Sequence, residues 1–104
     1  MIETEIFKAL ADPTRRAVFE KLARGSQNAT ELRQGMSITQ PAMSHHLGVL
    51  RQAGLVREEP AGRAIRYSIA PDGMKPLHDW MARYSRFWPE RIAELNVLLK
   101  EMDQ

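Results

Sequence analysis

The amino-acid sequence predicts a mainly α (α+β) fold, and three observations carry the prediction. Apolar residues recur at helical spacing over most of the chain. A brief helix and a longer one lie either side of a tight connection near Gly35. Directly after them, two alternating segments flank Pro60-Ala61-Gly62-Arg63, the pattern of a β-hairpin. Short helix, turn, longer helix, then hairpin is the order of a helix-turn-helix followed by a wing. At 104 residues the chain has the length of one domain, and self-association would help stabilise so small a core.

Taken in order, Ile6, Phe7, Leu10 and Ala11 mark a first helix over residues 3–11. Asp12-Pro13 follows, a capping residue and the proline favoured at a helix start. Ala17, Val18, Phe19 and Leu22 continue a second helix that stops near Gly25. Asn28 or Ser26 can cap a third helix through Ala29, Leu32 and Met36. The fourth has Ser37 or Thr39 as cap and Pro41 in its first turn, and it runs to Ala53 before Gly54. The helix-turn-helix thus spans 29–53 and a two-stranded wing spans 55–69. From Pro71 the pattern is helical again, with Pro89 either kinking the segment or starting a separate last helix.

Composition narrows the function classes. Without cysteine there is no disulfide, thiolate metal site or thiol switch. No run approaches the ~18 apolar residues of a membrane span, and the acidic N-terminus lacks the basic start of a secretory signal. The expected location is the cytoplasm. The net charge is only +2, but residues 37–70 carry Arg51, Arg57, Arg63 and Arg66 against Glu58 and Glu59 alone. A localised basic surface suits a polyanion partner.

Placed at ~100° intervals, the fourth helix divides cleanly. Ala42, Met43, His46, Leu47, Val49, Leu50 and Ala53 fill an apolar arc. Gln40, Pro41, Ser44, His45, Gly48, Arg51 and Gln52 fill a polar one. His45 and His46 are therefore no metal pair, because shared ligands need i, i+3 or i, i+4 spacing. Ser44 with His45 is no catalytic pair either, lacking an orienting acid and a nucleophile-elbow pattern. A helix with a polar face fits the major groove. Thr39, Gln40, Ser44 and His45 are expected near bases, with Pro41 in the same turn, and Gln40 can pair with adenine. Ser37, His46, Arg51, Arg63 and Arg66 are the phosphate or wing candidates, although His46 also suits a packed, locally bonded ring. Arg15-Arg16 reads equally as a phosphate clamp or a solvated face.

Three stretches together resemble the ArsR/SmtB family of bacterial winged-helix repressors. They are Ala9-Leu10-Ala11-Asp12-Pro13-Thr14-Arg15-Arg16, Gln40-Pro41-Ala42-Met43-Ser44-His45-His46-Leu47 and Leu50-Arg51-Gln52-Ala53-Gly54-Leu55-Val56. The wing Gly62-Arg63-Ala64-Ile65-Arg66-Tyr67 extends the match to roughly residues 5–70. The resemblance implies a homodimer built on the first and last helices (1–11 and 71–104) that binds a dyad-symmetric operator and represses transcription. The departures from the metal-sensing members point to metal independence. The third helix lacks the cysteines of metal-sensing members, and the last segment offers only His78 beside Asp79 where zinc needs three or four ligands. No cofactor and no enzymatic activity are expected.

The interface expected from this reading comprises Ile6, Phe7, Leu77, Trp80, Met81, Tyr84, Phe87, Trp88, Ile92 and Leu95, since aromatic residues and Met are enriched at interfaces. Trp80, Tyr84, Phe87 and Trp88 could alternatively line a pocket for an inducer. The competing function class is a winged-helix protein-interaction module without specific DNA binding.

Overall fold

The structure is a computed structural model that describes residues 2–87 and 90–102, without the side chains of 90–93, 95 and 96. Helix α1 (Ile2–Ala11) runs into α2 (Pro13–Leu22) with Asp12 between them. Asp12 has extended backbone, and its Oδ2 accepts the Arg15 N–H at 2.9 Å, so one of the unbonded donors of the α2 N-terminus finds a partner. Strand β1 (Gln27–Asn28) leads into α3 (Ala29–Arg33). Asn28 and Glu31 close a capping box there: Asn28 Oδ1 accepts Glu31 N–H at 2.8 Å and Glu31 Oε1 accepts Asn28 N–H at 2.9 Å.

Helix α3 stops earlier than the apolar spacing through Met36 suggests. The Lys21 ammonium donates to Leu32 O at 3.0 Å and Gln34 O at 2.7 Å, and Gln34 turns extended. Leu32 O is the acceptor that a longer helix would offer to Met36 N–H, which bonds instead to Arg33 O. Arg33 Nε donates to Ile38 O at 3.1 Å across the following turn. Helix α4 (Gln40–Gln52) then begins with Thr39 as its cap, Oγ1 accepting Ala42 N–H at 3.2 Å.

At its other end α4 closes in a Schellman motif. Leu55 N–H donates to Leu50 O and Gly54 N–H to Arg51 O, each at 3.0 Å, while Gly54 takes the left-handed φ of +80° that a side chain would oppose. This abrupt stop points buried Leu55 and Val56 inward and launches β2 (Val56–Ala61). Strand β2 pairs antiparallel with β3 (Ala64–Ile69) in the register Val56↔Ile69 through Ala61↔Ala64. This is the expected two-stranded wing, and β1 joins it in a three-stranded sheet of order β1-β3-β2. Gln27↔Tyr67 and Asn28↔Arg66 add the short first strand. Two residues carry too little pattern for alternation to announce them.

The C-terminal segment forms α5 (Lys75–Ala82), a 3₁₀ turn over Ser85–Phe87 and α6 (Glu90–Met102). Residues 71–74, read as helical, form a turn instead. Trp88 and Pro89, and with them the choice between kink and break, lie outside the described residues. The core gathers Ile6 and Ala9 from α1, Val18 and Leu22 from α2, Leu32 from α3, and Met43, Leu47 and Leu50 from α4. Among the described residues no helix is long and apolar enough to cross a membrane.

One side chain joins three of these helices. The Arg15 guanidinium donates through Nε to Ala9 O at 2.7 Å and through Nη2 to Lys8 O at 3.3 Å, both at the C-terminal end of α1. Its Nη1 meets His46 Nδ1 of α4 at 3.3 Å. Arginine has only donors, so this contact is a hydrogen bond when Nδ1 carries a lone pair and the ring proton sits on Nε2.

Replacing Arg15 with Gln shortens the side chain and removes the fork, which is expected to cost about 1.5–3 kcal/mol of unfolding free energy in urea melts. Asp12 supplies a second test. The Arg15 backbone N–H holds its carboxyl below the usual range, an effect that the Arg15 charge reinforces and partial desolvation opposes. A pKa lowered in the folded chain adds stability that is full above the unfolded value and is lost as pH falls below it through the lowered folded pKa. The melting-temperature gap between the wild type and Asp12→Asn should therefore narrow from pH 6 to pH 3; a gap independent of pH would contradict this assignment.

Candidate nucleic-acid interface

Burial follows the helical wheel of α4. Met43, Leu47 and Leu50 are buried, Ala42, His46 and Val49 are half-buried, and Gln40, Pro41, Ser44, His45, Arg51 and Gln52 are exposed. The helix is anchored along one side by the core and presents the other to solvent. Ser37 and Thr39 are exposed just ahead of it. Thr39 Oγ1 accepts the capping bond and keeps its own proton free to donate outward.

The exposed face of α4 does not stand alone. A groove of about 330 Å³ is walled by Gln40 and Ser44 from α4, by Asn28, Ala29 and Thr30 where β1 enters α3, and by Arg63, Ala64, Ile65 and Tyr67 from the wing. Arg63 sits at the wing tip in a two-residue turn whose first residue, Gly62, has φ +64°. That is the II′ arrangement, which matches the twist of the flanking strands. Burial, helped by nearby Glu58 and opposed by Arg51, pushes the Tyr67 phenol above its ordinary pKa. The hydroxyl is thus neutral and able to donate at physiological pH. The groove offers amide, hydroxyl and guanidinium groups with no carboxylate in its walls, a chemistry suited to phosphate and base edges.

Two of the phosphate or wing candidates are engaged within the chain. Arg66 Nη2 donates to Ser26 O at 2.6 Å, Nε to Ser26 Oγ at 3.3 Å and Nη1 meets Glu31 Oε1 at 3.4 Å. Its guanidinium therefore braces β3 against the start of α3. His46 takes the bonded, half-buried alternative: its Nδ1 faces Arg15, while exposed His45 keeps its polar-face position. The two rings sit 5.7 Å apart at 57°. Arg15 has a bracing role as well, whereas Arg16 is exposed.

Sequence reasoning missed Asn28, Thr30 and Tyr67 as groove residues. The β1–β3 pairing brings them beside α4, and only the cap potential of Asn28 was visible in the sequence.

The terminal helices present a different surface. Phe7 and Trp80 meet edge to face with centroids 5.2 Å apart, and Trp80 and Tyr84 lie 5.0 Å apart. Phe7, Met81, Tyr84 and Phe87 remain exposed, the last at 68%, as do Val97, Leu98, Leu99 and Met102 of α6. Ile6 departs from expectation: it is fully buried within one chain and cannot line a surface. Leu77 is half-buried against the same core. Trp88 and the side chains of Ile92 and Leu95 lie outside the described residues. Among the described residues no three His, Cys, Asp or Glu side chains gather as metal ligands.

Comparison with known proteins places this geometry among regulators. A helix-turn-helix domain family matches residues 10–59. The transcriptional repressor SdpR of Bacillus subtilis is 33% identical over 79 residues, covering 76% of this chain and 88% of its own length. The HTH-type transcriptional regulator Rv2034 of Mycobacterium tuberculosis is 42% identical over 87 residues, covering 84% of this chain and 78% of its own. Among solved structures, an ArsR family transcriptional regulator superposes with a TM-score of 0.77 at 32% identity, covering 85% of this chain and 97% of its own.

Proposed function

The chain belongs to the ArsR/SmtB family of winged helix-turn-helix transcriptional regulators, and from that premise we propose that it is a homodimeric repressor of transcription. Its ligand is double-stranded DNA carrying a dyad-symmetric operator, met in the cytoplasm. The observation that carries the reading is the groove that sets Gln40 and Ser44 of α4 opposite Arg63 of the wing. With α4 in the major groove, Thr39, Gln40, Ser44 and His45 face base edges, and Pro41 packs beside them in the first turn. Ser37, Arg51 and Arg63 hold phosphates. Arg66 and His46 act from behind, by holding the wing and α4 in place.

The exposed apolar surface of Phe7, Met81, Tyr84 and Phe87 around half-buried Trp80 supports the dimer. Exposed aromatic clusters of this kind mark interaction surfaces. A dyad through it would set two α4 helices in successive major grooves, roughly 34–36 Å apart. Occupation of promoter DNA then blocks transcription sterically, with no metal or cofactor in the cycle.

Fluorescence anisotropy with DNA from upstream of the chain's own gene, read against random duplex over a salt series, tests the reading. Specific binding should exceed random binding and fall steeply as salt rises, because phosphate contacts release counterions. Gln40→Ala should remove about 1–3 kcal/mol of base discrimination. Arg63→Ala should weaken binding to all sequences and reduce the salt slope by about one. Failure of the wild type to discriminate any duplex would favour the protein-interaction module.

A further inference from the structure

Glycine is the weakest helix former after proline, so a glycine inside a helix calls for a reason. Five of the six glycines have one within the chain. Gly25, Gly35, Gly54 and Gly62 carry φ values of +152°, +79°, +80° and +64°. At Gly73 a Cβ would lie 2.5 Å from Gly54 O and 3.0 Å from Leu55 Cα, so the backbone approach excludes it. Gly48 has neither reason. It lies in the interior of α4 without a positive φ, and among the described residues no atom comes within 4 Å of where its Cβ would be. Among the described residues nothing needs that position bare.

We infer that Gly48 is a contact-surface residue for DNA: the sugar–phosphate strand at the wall of the major groove passes directly over its bare backbone. The inference rests on the DNA reading above. Its first support is placement. Gly48 follows exposed Ser44 by one turn on the polar stripe, and exposed Arg51 and Gln52 follow it by another. Its second support is length. Gly48 lies roughly 12 Å along the axis from Gln40 at 1.5 Å per residue, about the width of the major groove. With Gln40 at the base edges, the helix meets the far wall near Gly48. Arg51, three residues on, is then placed to pair with a phosphate of that same strand. A methyl group at 48 would hold the strand off and weaken every contact on either side of it.

The inference predicts opposite signs for stability and binding. Gly48→Ala should raise Tm by about 3–6 °C, because alanine is the better helix former and the site is open. It should also weaken binding about tenfold to a duplex that the wild type selects from a random-sequence pool. Gly48→Leu, still a good helix former, should lose about a hundredfold. The salt slope should fall by no more than about one in either variant, the share of the Arg51–phosphate pair on the displaced strand. A more stable Gly48→Ala chain that binds as the wild type does, together with unimpaired Gly48→Leu, would overturn the inference. A Gly48→Leu chain that keeps its affinity but changes oligomeric state would overturn it too, by making the neighbour a second copy. Should the wild type select no duplex at all, the DNA reading fails and takes this inference with it; the wild-type measurement keeps the two failures distinct.

Discussion

The guanidinium of Arg15 closes two gaps that the folding of this chain leaves open. The last carbonyls of α1 have no intrahelical partner, and α4 must be held at a defined angle to helices that are remote in sequence. Arg15 answers the first through Ala9 O and Lys8 O, and the second through His46 Nδ1. Its charge also lies where the α1 dipole favours a cation. The side chain can reach these acceptors because Asp12 caps α2 on the Arg15 N–H and fixes the turn between the helices. Helix α1 also packs against α5 through Phe7 and Trp80. The apolar surface proposed to pair two copies and the helix proposed to read DNA are thus joined through one rigid elbow. In a dyad dimer that elbow sets the separation of the two reading helices.

The same economy of charge appears elsewhere. Lys21 holds the carbonyls that end α3, Arg33 holds the turn before α4, and Arg66 holds β3 against α3. These cations lie on or beside the elements that carry the proposed contacts, and each is engaged with oxygen atoms of its own chain. The small net charge of +2 is therefore a poor measure of how the protein would meet a polyanion. What matters is that Arg51 and Arg63 stay exposed at the two edges of the reading surface while their neighbours keep that surface rigid.

Much of this was legible in the sequence wherever a local rule sets the outcome. Asp12-Pro13 and Thr39 mark helix starts because an orphan N–H needs a cap, and Gly54 marks a stop because its backbone is left-handed. The wheel of α4 separated His45 from His46 because the core takes only one side of a helix. Illegible were the features that depend on pairing across the chain. Nothing local to Arg66 says that Ser26 and Glu31 will receive it rather than a phosphate. Nothing in Gln27-Asn28 says that a third strand forms or that Thr30 and Tyr67 will face α4. Ile6 and Phe7 are adjacent apolar residues on a helix flanked by two apolar surfaces, and only packing assigns Ile6 to the core and Phe7 to the outside.

That last division bears on why the fold carries exposed aromatic residues at all. The buried core draws on α1 to α4 and the start of β2, while α5 contributes no fully buried side chain. Trp80 of α5 reaches Phe7 and lies 5.0 Å from Tyr84 just beyond the helix, yet Tyr84 and Phe87 still face solvent. Glu3 of α1 has its Oε1 buried with no hydrogen-bond donor among the described residues, and Arg83 Nη2 stands 3.9 Å from that oxygen. A buried acceptor and an apolar face that find no partner among the described residues are both unfavourable in an isolated chain. Both occur where α1 meets α5, the surface that the proposed dimer would cover. A second copy there would remove apolar area from water and exclude solvent from the Glu3–Arg83 pair.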